Sequence, residues 1–387
     1  MDISTVLLHL LTTQITKADA DISNAKELAT EEMTALFALS QRHDLAHIVG
    51  HALSNLGLLG SDEVSKKFKQ QAVQAFYRYA QMDHAYGQIC GVLEEQKIPF
   101  IPLKGSVLRA YYPEPWMRTS CDIDILVKEE DLDKAIAALG EQLQYTVGNK
   151  SDHDVPLDSP NGVHLEMHYD TIAGNYTVNN CRDVLAQIWE DAVPKEPGSY
   201  HYCMSDAMFY FYHIAHMAKH FQYGGCGVRP FLDLWIMNNR MDFDRQKRHA
   251  LLEEGGLLKF AIAAEHLSEV WLSGGVANAL SKQMEGFILD GGVYGTVRNS
   301  MAVDQIRMGS KLKYACSKIF LPYDILKYDY PVLKKKPWLT PLYEVKRWKR
   351  LISADNGKYA LAYLKTNARI PSTESAATAQ MLKQLGL

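Results

Sequence analysis

A chain of 387 residues, 47% hydrophobic and 22% charged with a formal charge of −4, is long enough for a sizeable core and for more than one structural unit. That balance excludes a disordered chain and a protein that binds nucleic acid over its whole surface, leaving a soluble globular one. No stretch has the uninterrupted apolar length that a membrane span needs.

The first residues, Met1-Asp2-Ile3-Ser4, lack the positive start of a secretory signal, and the apolar run Val6 to Leu11 predicts an amphipathic helix. Helical periodicity continues in Lys26 to Leu39, Leu45 to Leu56 and Asp62 to Glu95, so residues 1–95 are expected to form a helical lead-in. Cysteines are scattered at Cys90, Cys121, Cys181, Cys203, Cys226 and Cys316 with no Cys-x-x-Cys pair, which points to a reducing, cytoplasmic setting.

The pattern changes at Lys97-Ile98-Pro99, and short apolar runs then alternate with helix candidates, the expectation being an α/β catalytic unit over residues 96–200. Ile98 to Leu103 reads as a strand running into Lys104-Gly105-Ser106, followed by the helix-compatible Val107 to Tyr112. In such a strand-loop-helix, Gly105 lets the backbone approach a phosphate, Ser106 can hydrogen-bond an oxygen and Lys104 adds positive charge. An insert, Tyr111-Tyr112-Pro113-Glu114-Pro115-Trp116-Met117, predicts an ordered loop beside the site, fit for an acceptor or base contact.

Asp122-Ile123-Asp124 carries the strongest signal. Side chains alternate along a strand, so Asp122 and Asp124 share one face while Ile123 and Ile125 point into the opposite layer. The two acids are about 6.6 Å apart along the backbone, close enough to converge on a pair of divalent cations. Without cations their like charges raise one pKa, so Asp124→Asn is expected to preserve or raise stability in the metal-free protein while abolishing activity.

Glu129 to Gln142 predicts a helix, and Asn149 to Gly162, rich in Asp, Ser, Pro and Gly, predicts turns within an antiparallel hairpin. In Val163 to Tyr169 alternation puts His164, Glu166 and His168 on one face. Glu166 is the best third acid, able to bind a cation and take an acceptor's proton; the alternative is a polar strand edge facing water.

From about Ser205 the helical period returns, in Val228 to Arg240, Phe243 to Glu254, Leu257 to Leu272 and Ala277 to Leu289, so residues 201–387 are expected to be mostly helical. His213, His216 and His220 share a helical face, either as transition-metal ligands or, as preferred, as internally hydrogen-bonded histidines in a helix that covers the cleft. On that reading Lys219 or His220, with Arg229 and Asp233, contacts nucleotide or acceptor; Arg229 and Asp233, four apart, equally form a helix salt bridge. Residues 327–350 hold eight Lys or Arg against two acids, interleaved with Tyr328, Tyr330, Trp338, Tyr343 and Trp348. The segment is either a surface for RNA, anionic lipid or a phosphorylated acceptor, or a solvated helix. Ser372 to Ala377 reads as a loose connection before a final helix.

Taken together, Leu103-Lys104-Gly105, Arg118, Asp122-Ile123-Asp124 and Glu166-Met167-His168-Tyr169 resemble the DNA polymerase β-like nucleotidyltransferase superfamily, in particular a poorly characterised bacterial branch. The core of the resemblance runs from about Ile98 to Tyr169, with a weaker extension from His216 through Asp233. It implies a nucleotidyltransferase fold, an α/β core of small mixed sheet and flanking helices embedded in mainly α-helical N- and C-terminal regions. It further implies a metal-dependent enzyme moving an NMP group from an NTP, with ATP the default, to a hydroxyl acceptor. In those terms Asp122, Asp124 and Glu166 are catalytic and hold two Mg²⁺, or Mn²⁺. Lys104, Gly105, Ser106 and Arg118 bind the nucleotide, and His168 and His216 join Lys219, His220, Arg229 and Asp233 as substrate contacts. The chain departs from the pattern in the fifteen residues between Ser106 and Asp122, and in Lys104 where many relatives have a small residue. The rival function is a noncatalytic nucleotide- or partner-binding protein that retains the fold.

Overall fold

In the computed structural model, residues 2–18, 25, 28–171, 180–352 and 365–387 are described, and among them helices predominate around one small mixed sheet, with a two-stranded antiparallel ribbon, Val193–Pro194 and Tyr202–Cys203, beside it in sequence. The N-terminal helices are Ile3–Ile15, Thr30–Arg42, Ala46–Asn55 and Glu63–Glu95. Asp2 and Asp62 start the first and last by accepting the backbone N–H of Ser4 at 3.0 Å and of Ser65 at 2.9 Å, which satisfies helix donors that have no partner of their own. The second helix begins later than the periodicity predicts, and Lys26 and Glu27 lie outside the described residues.

Five strands form the sheet: β1 (Phe100–Pro102), β2 (Asp122–Val127), β3 (Thr146–Val147), β4 (Asp154–Asp158) and β5 (His164–His168), in the order β1-β2-β5-β4-β3. β2 and β5 run parallel, whereas the other neighbours are antiparallel, including the predicted hairpin β4–β5. The first strand is shorter than expected, and Val107 to Tyr112 splits into the one-turn helix Gly105–Leu108 and a 3₁₀ turn, Arg109–Tyr111.

Alternation sorts the sheet into two faces. Ile123, Ile125, Val127, Val155, Leu157, Leu165 and Met167 are buried in one core with Leu132, Ala135 and Leu139 of the helix Leu132–Leu143 and with Ile89 and Leu93 of the long helix. The opposite face carries Asp122 and Asp124 from β2 and His164, Glu166 and His168 from β5, paired in register. Arg78 of the long helix fixes the entry to β2, donating to the carbonyls of Ser120 at 3.3 Å and Cys121 at 2.9 Å.

A second, larger core joins the two ends of the chain. Leu7, Leu11, Ile48 and Val49 pack in it with Phe221, Phe231, Phe260 and Trp271 from the helices Asp206–Gln222, Arg229–Arg240 and Leu258–Leu272. Thr12 Oγ1 donates to the Trp271 carbonyl at 3.0 Å within it. Ser372 to Ala377 is not a loose connection: it forms the opening turns of the helix Ser372–Leu385, with Pro371 at its N-cap and Glu374 gripped by Arg298 at 2.7 Å. Among the described residues no helix is long and apolar enough to cross a membrane.

Candidate active site

The pairing of β2 with β5 sets the site. In the parallel register Asp122 lies beside His164, Asp124 beside Glu166 and Leu126 beside His168, so side chains of one parity from both strands emerge on the same face. One potential ligand atom from each of Asp124, Glu166 and His168 lies within 4.8 Å of the other two. Asp124 is 3% exposed and His168 4%, whereas the Glu166 side chain keeps 28% of its surface in contact with solvent.

Buried carboxylates need compensation, and the chain supplies it. Lys104 Nζ donates to Asp124 Oδ1 at 2.7 Å, and His168 Nε2 lies 3.0 Å from the same oxygen and 3.4 Å from Glu166 Oε2. Burial alone would raise the Asp124 carboxyl, but the Lys104 charge and the His168 hydrogen bond override it and hold it well below the usual carboxylate range. Burial and the adjacent Asp124 charge push Asp122 up, with Lys104 opposing. Burial disfavours charge on Lys104 and on His168 too, yet the Asp124 carboxylate draws both pKa values upward. The acid pair does repel, but Lys104 and His168 neutralise Asp124 without any ion. Removing the Asp124 charge therefore strands a lysine, and the expectation that Asp124→Asn preserves or raises stability is corrected.

Lys104 reaches Asp124 because of its backbone. It sits at φ 45°, ψ −120°, a conformation that suits glycine and costs another residue about 1–3 kcal/mol. Leu103 N–H donates to the Asp124 carbonyl at 3.0 Å, extending the β1–β2 ladder to the residue before the turn. Gly105 follows. A Cβ there would meet Arg118 Nη1 at 3.4 Å and Ser120 Cβ at 3.5 Å, ordinary contacts, so packing within the protein does not require glycine. Ser106 borders a cavity of about 570 Å³ whose lining includes Tyr111, Lys195 and Arg240 but none of the three acids.

The helix Asp206–Gln222 contributes the other wall. Its Tyr212 and His216 lie within electrostatic reach of Lys104 and Asp124, and its Lys219 within reach of Lys104 and Glu166. Burial drives His216 well below its usual value and pushes His220 down to about 4, so both rings are neutral at pH 7. Their centroids are 4.5 Å apart, and His220 in turn meets Tyr294 at 5.8 Å. His213 Nε2 lies 3.1 Å from the Pro230 carbonyl, the internal hydrogen bond expected of a packed helix.

Arg118, Arg229 and Asp233 are brought near the site but are tied to other partners. Arg118 Nε donates to Asp233 Oδ1 at 2.8 Å and Oδ2 at 3.1 Å, and Tyr112 Oη donates to Oδ1 at 2.6 Å. Asp233 is fully buried, and the Arg118 charge holds its carboxyl below the usual range against the opposing effect of burial. Arg229 does not pair with Asp233; it grips the Asp44 carboxylate and donates to the Asp44 carbonyl and Thr119 Oγ1, both at 3.1 Å. The loop Tyr111 to Met117 is ordered, with Tyr112 and Met117 buried and the Met117 carbonyl 2.9 Å from His47 Nε2.

Tyr294 is a rim residue that sequence reasoning missed. It is 72% exposed and feels the charges of Asp122 and Lys104, and long-range contacts bring its loop to the site: Gly295 against Gly224, and Val293 hydrogen-bonded to Gly227 at 3.1 Å and to Arg42 at 3.3 Å. No local pattern announces those contacts. The basic segment is three short helices, Tyr323–Asp329, Val332–Lys335 and Thr340–Ile352. Several of its aromatics are engaged internally, Tyr330 against Tyr343 at 4.9 Å and Trp348 against Phe320 at 5.1 Å, while Trp338 is 74% exposed.

The profile of a protein family described as an uncharacterised nucleotidyltransferase matches residues 29–273, which take in the whole sheet and the helix Asp206–Gln222. No curated protein and no solved structure matches the chain.

Proposed function

The chain belongs to the uncharacterised nucleotidyltransferase family, and from that premise we propose that it moves an NMP group, AMP from ATP by default, to a hydroxyl acceptor and releases pyrophosphate. We place its sheet with the polymerase β-like nucleotidyltransferase fold. The observation that carries the reading is the parallel register that sets Glu166 beside Asp124, with Asp122 on the same face.

The donors suit a divalent cation. Carboxylate oxygens of Asp124 and Glu166 within 4.8 Å of each other are hard ligands of the kind Mg²⁺ or Mn²⁺ takes. Asp122 lies outside that cluster but on the same strand face, and a second ion would draw on it. Such a cation, when bound, polarises the α-phosphoryl group and offsets charge on the attacking and leaving oxygens. Glu166, the partly exposed acid, accepts the proton as the acceptor oxygen bonds to the α-phosphorus. The bond from that phosphorus to the bridging oxygen breaks, and pyrophosphate leaves with the electron pair. Lys104, whose Nζ lies 2.7 Å from Asp124 Oδ1, supplies positive charge beside the acid face, where it would offset charge on the departing phosphates. The Gly105 turn holds the triphosphate beside Ser106, with Arg118, locked to Asp233, bracing it. The helix Asp206–Gln222 shields the reacting atoms from water and offers Lys219 and His220 to the substrate.

Isothermal titration with NTPs, with and without Mg²⁺, followed by incubation with labelled NTP and a metabolite or RNA extract, tests the reading. Metal-dependent triphosphate binding and a labelled product that Asp124→Asn fails to make are expected. Metal-independent binding with no labelled product would instead support a noncatalytic nucleotide-binding protein. That second reading draws on Lys104, which leaves Asp124 satisfied with no metal at all.

A further inference from the structure

We propose that His153, Asp154 and His168 form a second metal site, for a borderline transition ion such as Zn²⁺ or Co²⁺, on the flank of the acid face away from β2. Asp154 stands directly opposite His168 in the antiparallel β4–β5 pair, so the two side chains leave the sheet on the same side. His153 immediately precedes β4, and its ring centroid lies 5.9 Å from that of His168. One potential ligand atom from each of the three residues lies within 4.8 Å of the others.

An independent observation comes from His168 itself. Its Nε2 is committed to Asp124 and Glu166, but its Nδ1 is buried with no hydrogen-bond partner. An orphaned buried nitrogen is a desolvation cost that an ion on that side would relieve. His153 is already oriented, its Nδ1 2.8 Å from Asp152 Oδ1 and 3.1 Å from Ser151 Oγ, the carboxylate–imidazole arrangement that leaves the other ring nitrogen to a metal. Its carbonyl accepts the N–H of Tyr169 at 3.0 Å and of Asp170 at 3.2 Å, so the backbone is held as well. Two imidazoles and one carboxylate with an open coordination position favour a transition ion over Mg²⁺. Lys219 also reaches this flank, where it feels Asp152 and Asp154, and an ion there would share or displace its charge.

The site stands on its own residues; its consequence rests on the proposed role of Asp124. One ring serves two centres. An ion at Nδ1 takes the place of a proton there, and Nε2–H continues to donate to Asp124, fixing the ring for the acid site.

The 387-residue chain, stripped with EDTA and exchanged into chelator-free buffer, would be titrated with Co²⁺ by visible absorption and with Zn²⁺ by calorimetry. Wild type should show a d–d band and tight Zn²⁺ binding. His153→Ala and His153→Gln should each weaken both by on the order of tenfold or more, with melting in EDTA unchanged, while Glu166→Gln keeps the band. Absence of the band, a band indifferent to both His153 variants, or one lost only in Glu166→Gln would overturn the proposal. Mg²⁺-dependent NTP binding, measured in parallel, separates the two ideas: its loss with the Co²⁺ site intact removes nucleotidyl transfer, and the reverse removes only the second site.

Discussion

Asp124→Asn keeps the side chain's size and removes one charge, and the structure gives its effect a sign opposite to the one strand geometry alone suggests. Asp124 is 3% exposed and accepts from Lys104 at 2.7 Å, so the variant leaves a cation facing a neutral amide. Removing one partner of a buried ion pair costs about 3–5 kcal/mol. Two effects reduce that here. The Lys104 side chain keeps 24% of its surface exposed, which lets solvent screen its charge, and Asp122, pushed up by burial and by Asp124, is relieved of the second of these. The net loss is about 1–3 kcal/mol, which lowers Tm in EDTA by roughly 1–4 °C for a chain of 387 residues. Turnover should fall on the order of a hundredfold or more, because the same carboxylate is a proposed metal ligand. The assay is a double-mutant cycle of Asp124→Asn with Lys104→Met, melted with and without Mg²⁺ and NTP. Both single variants should be destabilised, the double variant by less than their sum, and only wild type should gain stability from metal and nucleotide together. If Asp124→Asn melts at or above wild type in EDTA, the lysine clamp does not compensate the acid and the reasoning fails.

His43 and His47, both buried, are pushed down to about 4 by desolvation, so the unfolded chain binds protons first. Their stability contribution is complete above the unfolded value of 6.5 and is lost as pH falls toward 4, with a slope of about 1.4 kcal/mol per pH unit for each. Urea midpoints that do not move between about pH 7 and about pH 5 would contradict this. Asp233→Asn, which leaves Arg118 buried without its counter-charge, should cost about 3–5 kcal/mol; a urea titration showing less than about 1 kcal/mol would mean the pair is not structural. Neutralising several of Lys334, Lys335, Lys336, Lys346, Arg347, Lys349 and Arg350 should weaken binding of a polyanionic acceptor more than binding of nucleotide, with Arg347, buried and paired with Glu344 at 2.9 Å, contributing least. Fluorescence anisotropy with labelled RNA at two salt concentrations decides, and the RNA version is dropped if no salt-dependent binding appears.

The acid face was legible because alternation is a local rule: Asp122, Asp124, Glu166 and His168 fall on one parity of two apolar strands, and the register sets them on one face, with Asp124, Glu166 and His168 clustered and Asp122 beside them. Helix positions were legible for the same reason, as Asp62 capping Glu63–Glu95 shows. Partner choice was not. The four-residue spacing of Arg229 and Asp233 suggested a helix pair, yet Asp44 and Arg118, remote in sequence, took those side chains because tertiary packing brought them closer and desolvated them. The positive φ of Lys104 was hidden too, since nothing in Leu-Lys-Gly says which residue takes the glycine-like conformation. In Ser372 to Ala377 small polar residues suggested a loop, whereas Pro371, the early Glu374 and the alanines make a helix start.

The core shared by the two ends of the chain has a consequence for synthesis. The helix Ile3–Ile15 presents Leu7, Leu10, Leu11 and Ile15, all fully buried in the finished protein, but part of its cover comes from Leu258–Leu272. At an elongation rate of about 5–20 residues per second, roughly 13–50 seconds pass between emergence of the first helix and arrival of Trp271. For that interval part of the apolar stripe lacks its final cover, a ready target for chaperones, and a message broken before that codon yields a product whose sheet is encoded but whose roof is missing.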